Sequence, residues 1–294
     1  MTALNPLVTV IIPCFNGEKY VASAIESVLQ QTFTKWQLLV VDDGSTDSSA
    51  AVIGKIAEKE PSRIEMITTR NFGACHAKNV ALRSAATKYV AFLDADDIWL
   101  PNKLGLQVSY MEQNGDVVGL TTSYQMISSN AQRRGGSLSF DWSRSAVEDW
   151  TLFLSSAPAM NSTLVARREA LSRIGGFDES LVSFADDLDL GWRLPEAGLM
   201  TSISQNLTLI RISPQQIHRD RQAMNSALSE VYRKLSIREP EIASRALINL
   251  QIRDTIGMIR EGRLVLGFKR LCLMFVGSPA VFFRFFQRVL IAKL

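Results

Sequence analysis

The sequence predicts an α/β protein with a mostly parallel central sheet flanked by helices, followed by a helical C-terminal region. Two observations carry this. In the first hundred positions, short apolar, β-branched runs alternate with amphipathic stretches of a dozen or more residues, the spacing of parallel strands joined by helical crossovers. Several of these runs also end in polar or paired acidic residues, so separate segments deliver such groups to one sheet edge, where ligands bind in folds of this kind.

The elements follow in order. "LVTVIIP" is a buried strand that Pro13 ends. From Glu18 to Gln30, Tyr20, Val21, Ala24, Ile25, Val28 and Leu29 make one stripe of an amphipathic helix. "WQLLVVDDGS" is a second strand stopping at Asp42, Asp43 and a turn, and "SSAAVIGKIAEKE" is helical. "RIEMITT", "GACHAKNVALRSA" and "YVAFLDADD" read as strand, helix and strand. After about residue 125 the pattern changes. "SSNAQRRGGSLSFDWSRSA" reads as an exposed loop, and "MNSTLVARREALSRIGGFDESL" as a strand, a short helix and a Gly-Gly turn. The chain past Arg219 is mostly helical in pattern.

Net charge is +3, too small to point to nucleic acid, and none is expected as a partner. The charge is uneven, however. Residues 251–294 hold eight Lys or Arg against two acids (Asp254 and Glu261), on an otherwise mildly acidic chain. Within 264–294, Phe282, Phe283, Phe285, Phe286, Val289 and Leu290 are interleaved with Arg284, Arg288 and Lys293. That mixture predicts interfacial helices on an anionic membrane surface, with packing on the preceding domain or a dimer contact as the alternative. No run of about 18 apolar residues occurs, and the N-terminus lacks the charged-then-apolar pattern of a signal peptide. A cytoplasmic protein, peripheral at the inner membrane face, is expected. Cys14, Cys75 and Cys272 are odd in number and fit no metal knuckle, so they are read as reduced thiols. Asn161-Ser162-Thr163 and Asn206-Leu207-Thr208 are glycosylation sequons by pattern only.

The chemistry concentrates at "YVAFLDADDIWLP". Asp94 and Asp96, two residues apart at a strand end, would repel each other unless they converge on a hard cation. Mg²⁺ or Mn²⁺ shared with a phosphate is the natural occupant, and such an ion activates a diphosphate leaving group. Asp97 is either a further ligand or a cap for the helix near Pro101. No Gly-x-Gly-x-x-Gly follows the first strand, which excludes a dinucleotide oxidoreductase.

Five stretches, "VTVIIPCFNGEKYVASAIESVLQQT", "WQLLVVDDGSTDSS", "NFGACHAKNVAL", "YVAFLDADDIWLPNKL" and "IGGFDESLVSFADDLDLGWRL", together resemble the glycosyltransferases of family 2 in order and spacing. The resemblance covers about residues 7–200 and implies the GT-A nucleotide-sugar-binding fold. It implies a GT-A domain over 1–218, with a nucleotide-binding part to about 125 and an acceptor part over 126–218, ahead of a basic helical region 219–294. Pro13 and Phe15 would then lie along the nucleotide base, with Asn16 at the same strand end. Asp43 would accept a hydrogen bond from the base, with Asp42 supporting the turn. Asn71 and Lys78 would lie near base and diphosphate, although the family usually has Arg at the position of Lys78. Asp94 would hold ribose or sugar, and Asp96 the metal.

In "FADDLDLGWRL", Asp186 replaces the family's usual Glu, and Asp187 takes the place of its catalytic base, with Asp189 the alternative. His218 is either a further metal ligand or a surface residue. The processive family signature Gln-x-x-Arg-Trp is absent after this motif, which implies transfer of one or a few sugars. The implied function is an inverting, metal-dependent hexosyltransferase. It would move a sugar from a nucleoside diphosphate sugar to a glycan or lipid-linked acceptor in surface polysaccharide synthesis. The alternative is a catalytically weak nucleotide-sugar-binding protein.

Overall fold

A computed structural model of the chain describes residues 5–138, 142, 160–181 and 185–212, with scattered positions between 229 and 255. The chain divides into two compact units, Met1–Ala227 and Leu228–Leu294. In the second, Arg233 pairs with Glu230 one helical turn away. The interfacial segment 264–294 lies outside the described residues, and so does His218.

The first unit opens with the predicted alternation: β1 (Val8–Cys14), α1 (Val21–Leu29), β2 (Trp36–Asp42), α2 (Ser49–Ala57), β3 (Ile64–Thr68), α3 (Ala74–Ser84) and β4 (Tyr89–Phe92). β1 lies between β2 and β4, and β3 flanks β2, all parallel; Val10 sits opposite Leu38 on one side and Ala91 on the other. The apolar runs form strands because both sheet faces are covered there. Val8, Val10, Ile12, Leu38 and Val40 are fully buried together with the α1 stripe Val21, Ala24, Ile25 and Val28. Each such side chain contributes about 1.5–3 kcal/mol of burial.

The second half adds β5 (Ile98–Trp99), α4 (Lys103–Gln113), β6 (Val117–Ile127), β7 (Arg133–Leu138), α5 (Met160–Thr163), β8 (Val165–Arg167), α6 (Arg168–Arg173), α7 (Asp186–Arg193) and β9 (Leu199–Arg211). The sheet runs β3-β2-β1-β4-β8-β6-β9-β5, with β7 paired to β6. β8 is antiparallel to both its neighbours, whereas β6 and β9 are parallel. The α/β class holds, with antiparallel strands inserted in the second half.

Two local readings change. The stretch expected as an exposed loop after residue 125 begins as a β6–β7 hairpin, exposed but paired, with Ala131 turning at φ 62. At 160–163 an additional helical turn precedes the expected strand and short helix, because Asn161 and Ser162 bond to the acidic segments described below. Among the described residues, no helix is long and apolar enough to cross a membrane.

Candidate active site

Three strand ends meet at the carboxyl edge of β1, β2 and β4. Asn16 takes φ 51, a left-handed conformation that Asn tolerates. Its Oδ1 accepts from the Thr46 N–H (2.8 Å), and its own N–H donates to Ser45 Oγ (2.9 Å). Asn16 therefore ties the β1 end to the loop after β2. Asp42 is buried and accepts from the Ser45 N–H at 3.4 Å. Asp43, 2% exposed, has taken on other work. It accepts from Thr69 Oγ1 (2.6 Å), Phe72 N–H (3.0 Å) and Gly73 N–H (2.7 Å). A carboxylate from the β2 end thus caps the entry to α3 from a distance. The open groups on this side are Phe15 (47% exposed) and Phe72 (63%), with Asn71 exposed at φ 56. Pro13 is half-buried in β1, opposite Val41.

The acidic centre is built around Lys78. α3 carries this lysine inward, 2% exposed, and its Nζ donates to Asp186 Oδ2 at 2.6 Å, with Asp94 Oδ1 at 3.9 Å. Burial alone would lower its pKa; Asp186, then Asp94 and Asp187, outweigh that and hold the ammonium above its usual range. Asp186 shows the counterpart: burial pushes it up, but Lys78 holds it below the usual carboxylate value. Lys78 and Asp186, the two positions at which the resemblance leads one to expect other residues, thus form one buried ion pair.

Asp187 sits beside it at the α7 N-terminus, also buried. Burial and the neighbouring Asp186 push its pKa well up. Among the described residues, its carboxylate accepts one hydrogen bond, from the Asn161 N–H to Oδ1 at 3.0 Å. The Tyr124 hydroxyl is pushed up to about 12 by burial and by the charge of Asp187. Asp94 is raised to about 6 by burial, against Lys78 and with Asp96 and Asp186 adding to the rise. It nevertheless keeps 40% of its side-chain surface open.

Two readings of single residues are corrected. Asp97 neither caps α4 nor faces outward. It is 3% exposed, accepts from Ser162 Oγ (2.6 Å) and from the Arg211 N–H (2.8 Å), and so anchors the acidic turn to α5 and β9. Asp189, the alternative base, is tied up within its own helix. It is buried and accepts from the Arg193 guanidinium, which leaves Asp187 as the acid without a paired cation in this motif. Cys14 and Cys75 are free and buried, and burial pushes them up to about 11 and about 12, so neither is a nucleophile near neutral pH. His76 bonds to Glu179 at 2.7 Å, a structural pairing.

Among the described residues, no three His, Cys, Asp or Glu side chains converge as a protein-only metal cage. What is present is Asp94 and Asp96 on one tight turn, closed by the Asp97 N–H to Asp94 C=O bond at 3.0 Å. The cation nearest Asp94 is already committed to Asp186. Such a donor set fits Mg²⁺ or Mn²⁺, which take one or two carboxylates and fill the remaining positions with water and phosphate oxygen.

The family model described as Glycosyl transferase family 2 matches residues 9–174. The chain belongs to that family.

A relative from Escherichia coli, the UDP-Glc:alpha-D-GlcNAc-diphosphoundecaprenol beta-1,3-glucosyltransferase WfgD, is 40% identical over 126 residues, 42% of this chain and 48% of WfgD. The match thus spans about half that relative's length. Among solved structures, Staphylococcus aureus TarS (residues 1–349, in complex with UDP) superposes with TM-score 0.62 at 20% identity, covering 84% of this chain and 71% of that one. The Pyrobaculum calidifontis mannosyltransferase PcManGT, in complex with GDP-Man and Mn²⁺, gives TM-score 0.65 at 20% identity, covering 98% and 81%. Both share the GT-A fold.

Within this family 2 chain, the fold brings Asp94, Asp96, Lys78, Asp186 and Asp187 to one centre, and leaves Phe15 and Asn71 at the more open β1–β2 edge. Sequence reasoning missed Asn79, Asn161, Ser162 and Arg211. Asn79 clamps the Gly-Gly turn: its Oδ1 accepts from the Phe177 N–H at 2.9 Å and would stand 2.6 Å from a Cβ at Gly176. Arg211 donates from Nε to the Asp96 carbonyl and from Nη1 to those of Ser128 and Ser129. Asn79 lies in the stretch "NFGACHAKNVAL" and Asn161-Ser162 in a sequon pattern, but neither signal marks these roles, which become visible only when distant segments meet.

Proposed function

We propose that this chain is an inverting, metal-dependent glycosyltransferase acting in polysaccharide synthesis. It moves a sugar from a nucleoside diphosphate sugar to a glycan or lipid-linked acceptor. The observation that carries the reading is the convergence of the Asp94–Asp97 turn and the Asp186–Asp187 pair on Lys78 at the carboxyl edge of the parallel strands. WfgD's name supplies a UDP-sugar donor and a diphosphoundecaprenol-linked acceptor, TarS is solved with UDP, and PcManGT with GDP-Man and Mn²⁺. Taken together they support the donor class without choosing a base.

In this reading Asp94 and Asp96 hold a divalent cation, which when bound neutralises charge on the diphosphate. The acceptor hydroxyl oxygen attacks the anomeric carbon from the side opposite the leaving group. The bond from that carbon to the diphosphate oxygen breaks, its electron pair leaves with the nucleoside diphosphate, and the configuration inverts. The hydroxyl proton passes to the Asp187 oxygen that Asn161 does not engage. The raised proton affinity of Asp187 suits it to that task. Lys78 acts through Asp186 and Asp94, because its ammonium is enclosed. Phe15 and Asn71 border the nucleoside. Asp42, Asp43 and Asn16 act indirectly by holding the loops that border it.

The alternative of a sugar-nucleotide-binding protein rested on Asp186. That residue is satisfied by Lys78 and Asn161, and Asp187 keeps an oxygen for a hydroxyl, which favours the enzyme. The test is incubation with a panel of nucleoside diphosphate sugars and a diphospholipid-linked sugar acceptor, with product followed by mass spectrometry. Transfer by the wild type and a loss of roughly 10²–10⁴-fold in Asp187→Asn is expected. Donor binding without transfer to any acceptor would favour the binding protein.

A further inference from the structure

The Asn161-Ser162-Thr163 sequon has no glycosylation role to play, since Asn161 is 1% and Ser162 1% exposed. It forms α5, a single turn between the two acidic segments. Asn161 faces the acidic helix. Its backbone N–H donates to Asp187 Oδ1 (3.0 Å), and its carboxamide Nδ2 donates to Asp186 Oδ2 (3.0 Å), the oxygen that also accepts from Lys78. Ser162 faces the acidic turn, accepting the Asp94 N–H (3.1 Å) and donating to Asp97 (2.6 Å). Adjacent residues therefore set the spacing between the two acidic motifs.

A second observation marks Asn161 as more than filler. Its Oδ1 is enclosed and, among the described residues, without a hydrogen-bond partner. The opposite amide orientation would press a carbonyl oxygen against the Asp186 carboxylate, so the donor must face Asp186 and the acceptor is left orphaned. An apolar side chain of the same shape would remove that penalty. The retained asparagine makes sense if the donor to Asp186 is what the position supplies.

We propose that Asn161 is the positioning residue of the acidic pair. Its carboxamide holds Asp186 against Lys78 and thereby fixes the start of α7, where the backbone N–H of the same residue turns one Asp187 oxygen into the protein, so that the other meets the acceptor hydroxyl. Asn161 itself touches neither donor nor acceptor. This inference rests on the reading of Asp187 as the base.

The informative variant is Asn161→Leu, which keeps the volume and removes both the donor and the orphaned acceptor. A merely structural role predicts an unfolding midpoint equal to or above wild type and unchanged kinetics. The positioning role predicts the same or a higher midpoint, a kcat lowered at least thirtyfold, and a donor KM within threefold of wild type. Asn161→Ala, which keeps the backbone N–H and leaves space, should show the same split if Asn161→Leu does not fold. Wild-type kcat in a folded Asn161→Leu or Asn161→Ala variant overturns the inference and leaves the glycosyltransferase reading standing. A wild-type full-length chain that turns over no nucleoside diphosphate sugar overturns both.

Discussion

Lys78 and Asp186 each depart from the family pattern, and the structure joins them in one contact of 2.6 Å. An Arg–Glu pair and a Lys–Asp pair both keep the charges but differ in reach and in fork geometry. Lys78→Arg alone would force a larger guanidinium onto a short carboxylate, and Asp186→Glu alone would push a longer one onto a fixed ammonium. Each single change is expected to lower kcat about tenfold or more, and the double change to recover most of that loss, a coupling of about 1–3 kcal/mol. A double-mutant cycle on kcat/KM measures it; strictly additive losses would mean that the two departures are independent. Removing the cation altogether, as in Lys78→Met, leaves buried carboxylates unpaired and should cost roughly 3–5 kcal/mol in a denaturant titration.

The acidic residues of this site were legible as residues, because carboxylates at strand ends and a helix start stand out from apolar surroundings. Their division of labour was not. Asp97 and Asp189 look as reactive in sequence as Asp94 and Asp187, and only their partners Ser162 and Arg193 show that they are structural.

At the scale of elements, β1 to β4 and α1 to α3 follow from periodicity, since a strand buried on both faces must be apolar throughout and a crossover helix must carry one stripe. β9 was missed, because "LMTSISQNLTLIR" is polar at many positions and only its place beside β6 makes it a strand. α4 holds another feature that periodicity hides. Lys103 is fully buried, with Nζ donating to Gln107 Oε1 (2.7 Å) and lying 4.2 Å from the Trp99 ring centroid. Burial lowers its pKa well below the usual 10.5. A lysine depressed in the folded state binds its proton more readily in the unfolded state. Stability therefore rises with pH from the folded value up to the unfolded one, and is lost as pH falls. Lys103→Met should flatten that rise and leave the unfolding midpoint at neutral pH equal or higher. Thermal unfolding across pH 6 to 10 checks it, and an unchanged slope in the variant would assign the pH dependence to other groups.

For the whole molecule, the glycosyltransferase reading combines a site built in the first unit with a basic tail that stands on sequence alone. Residues 264–294 alternate Phe and Leu with Arg and Lys, the pattern of a helix lying in a headgroup layer. A lipid-linked acceptor would give such a tail a purpose. The chain ending at residue 263 should lose co-sedimentation with anionic vesicles while still turning over a soluble acceptor; equal sedimentation of both forms would assign the tail to packing or dimerisation.

The central claim is that Asp94 and Asp96 make a cation-dependent diphosphate site. Calorimetric titration of UDP, GDP, dTDP and CDP into the full chain, with Mn²⁺ or with chelator, tests it most directly. The account predicts binding of one nucleotide that requires Mn²⁺ and disappears in Asp96→Ala. Binding of the same strength in chelator, or unchanged in Asp96→Ala, would contradict it.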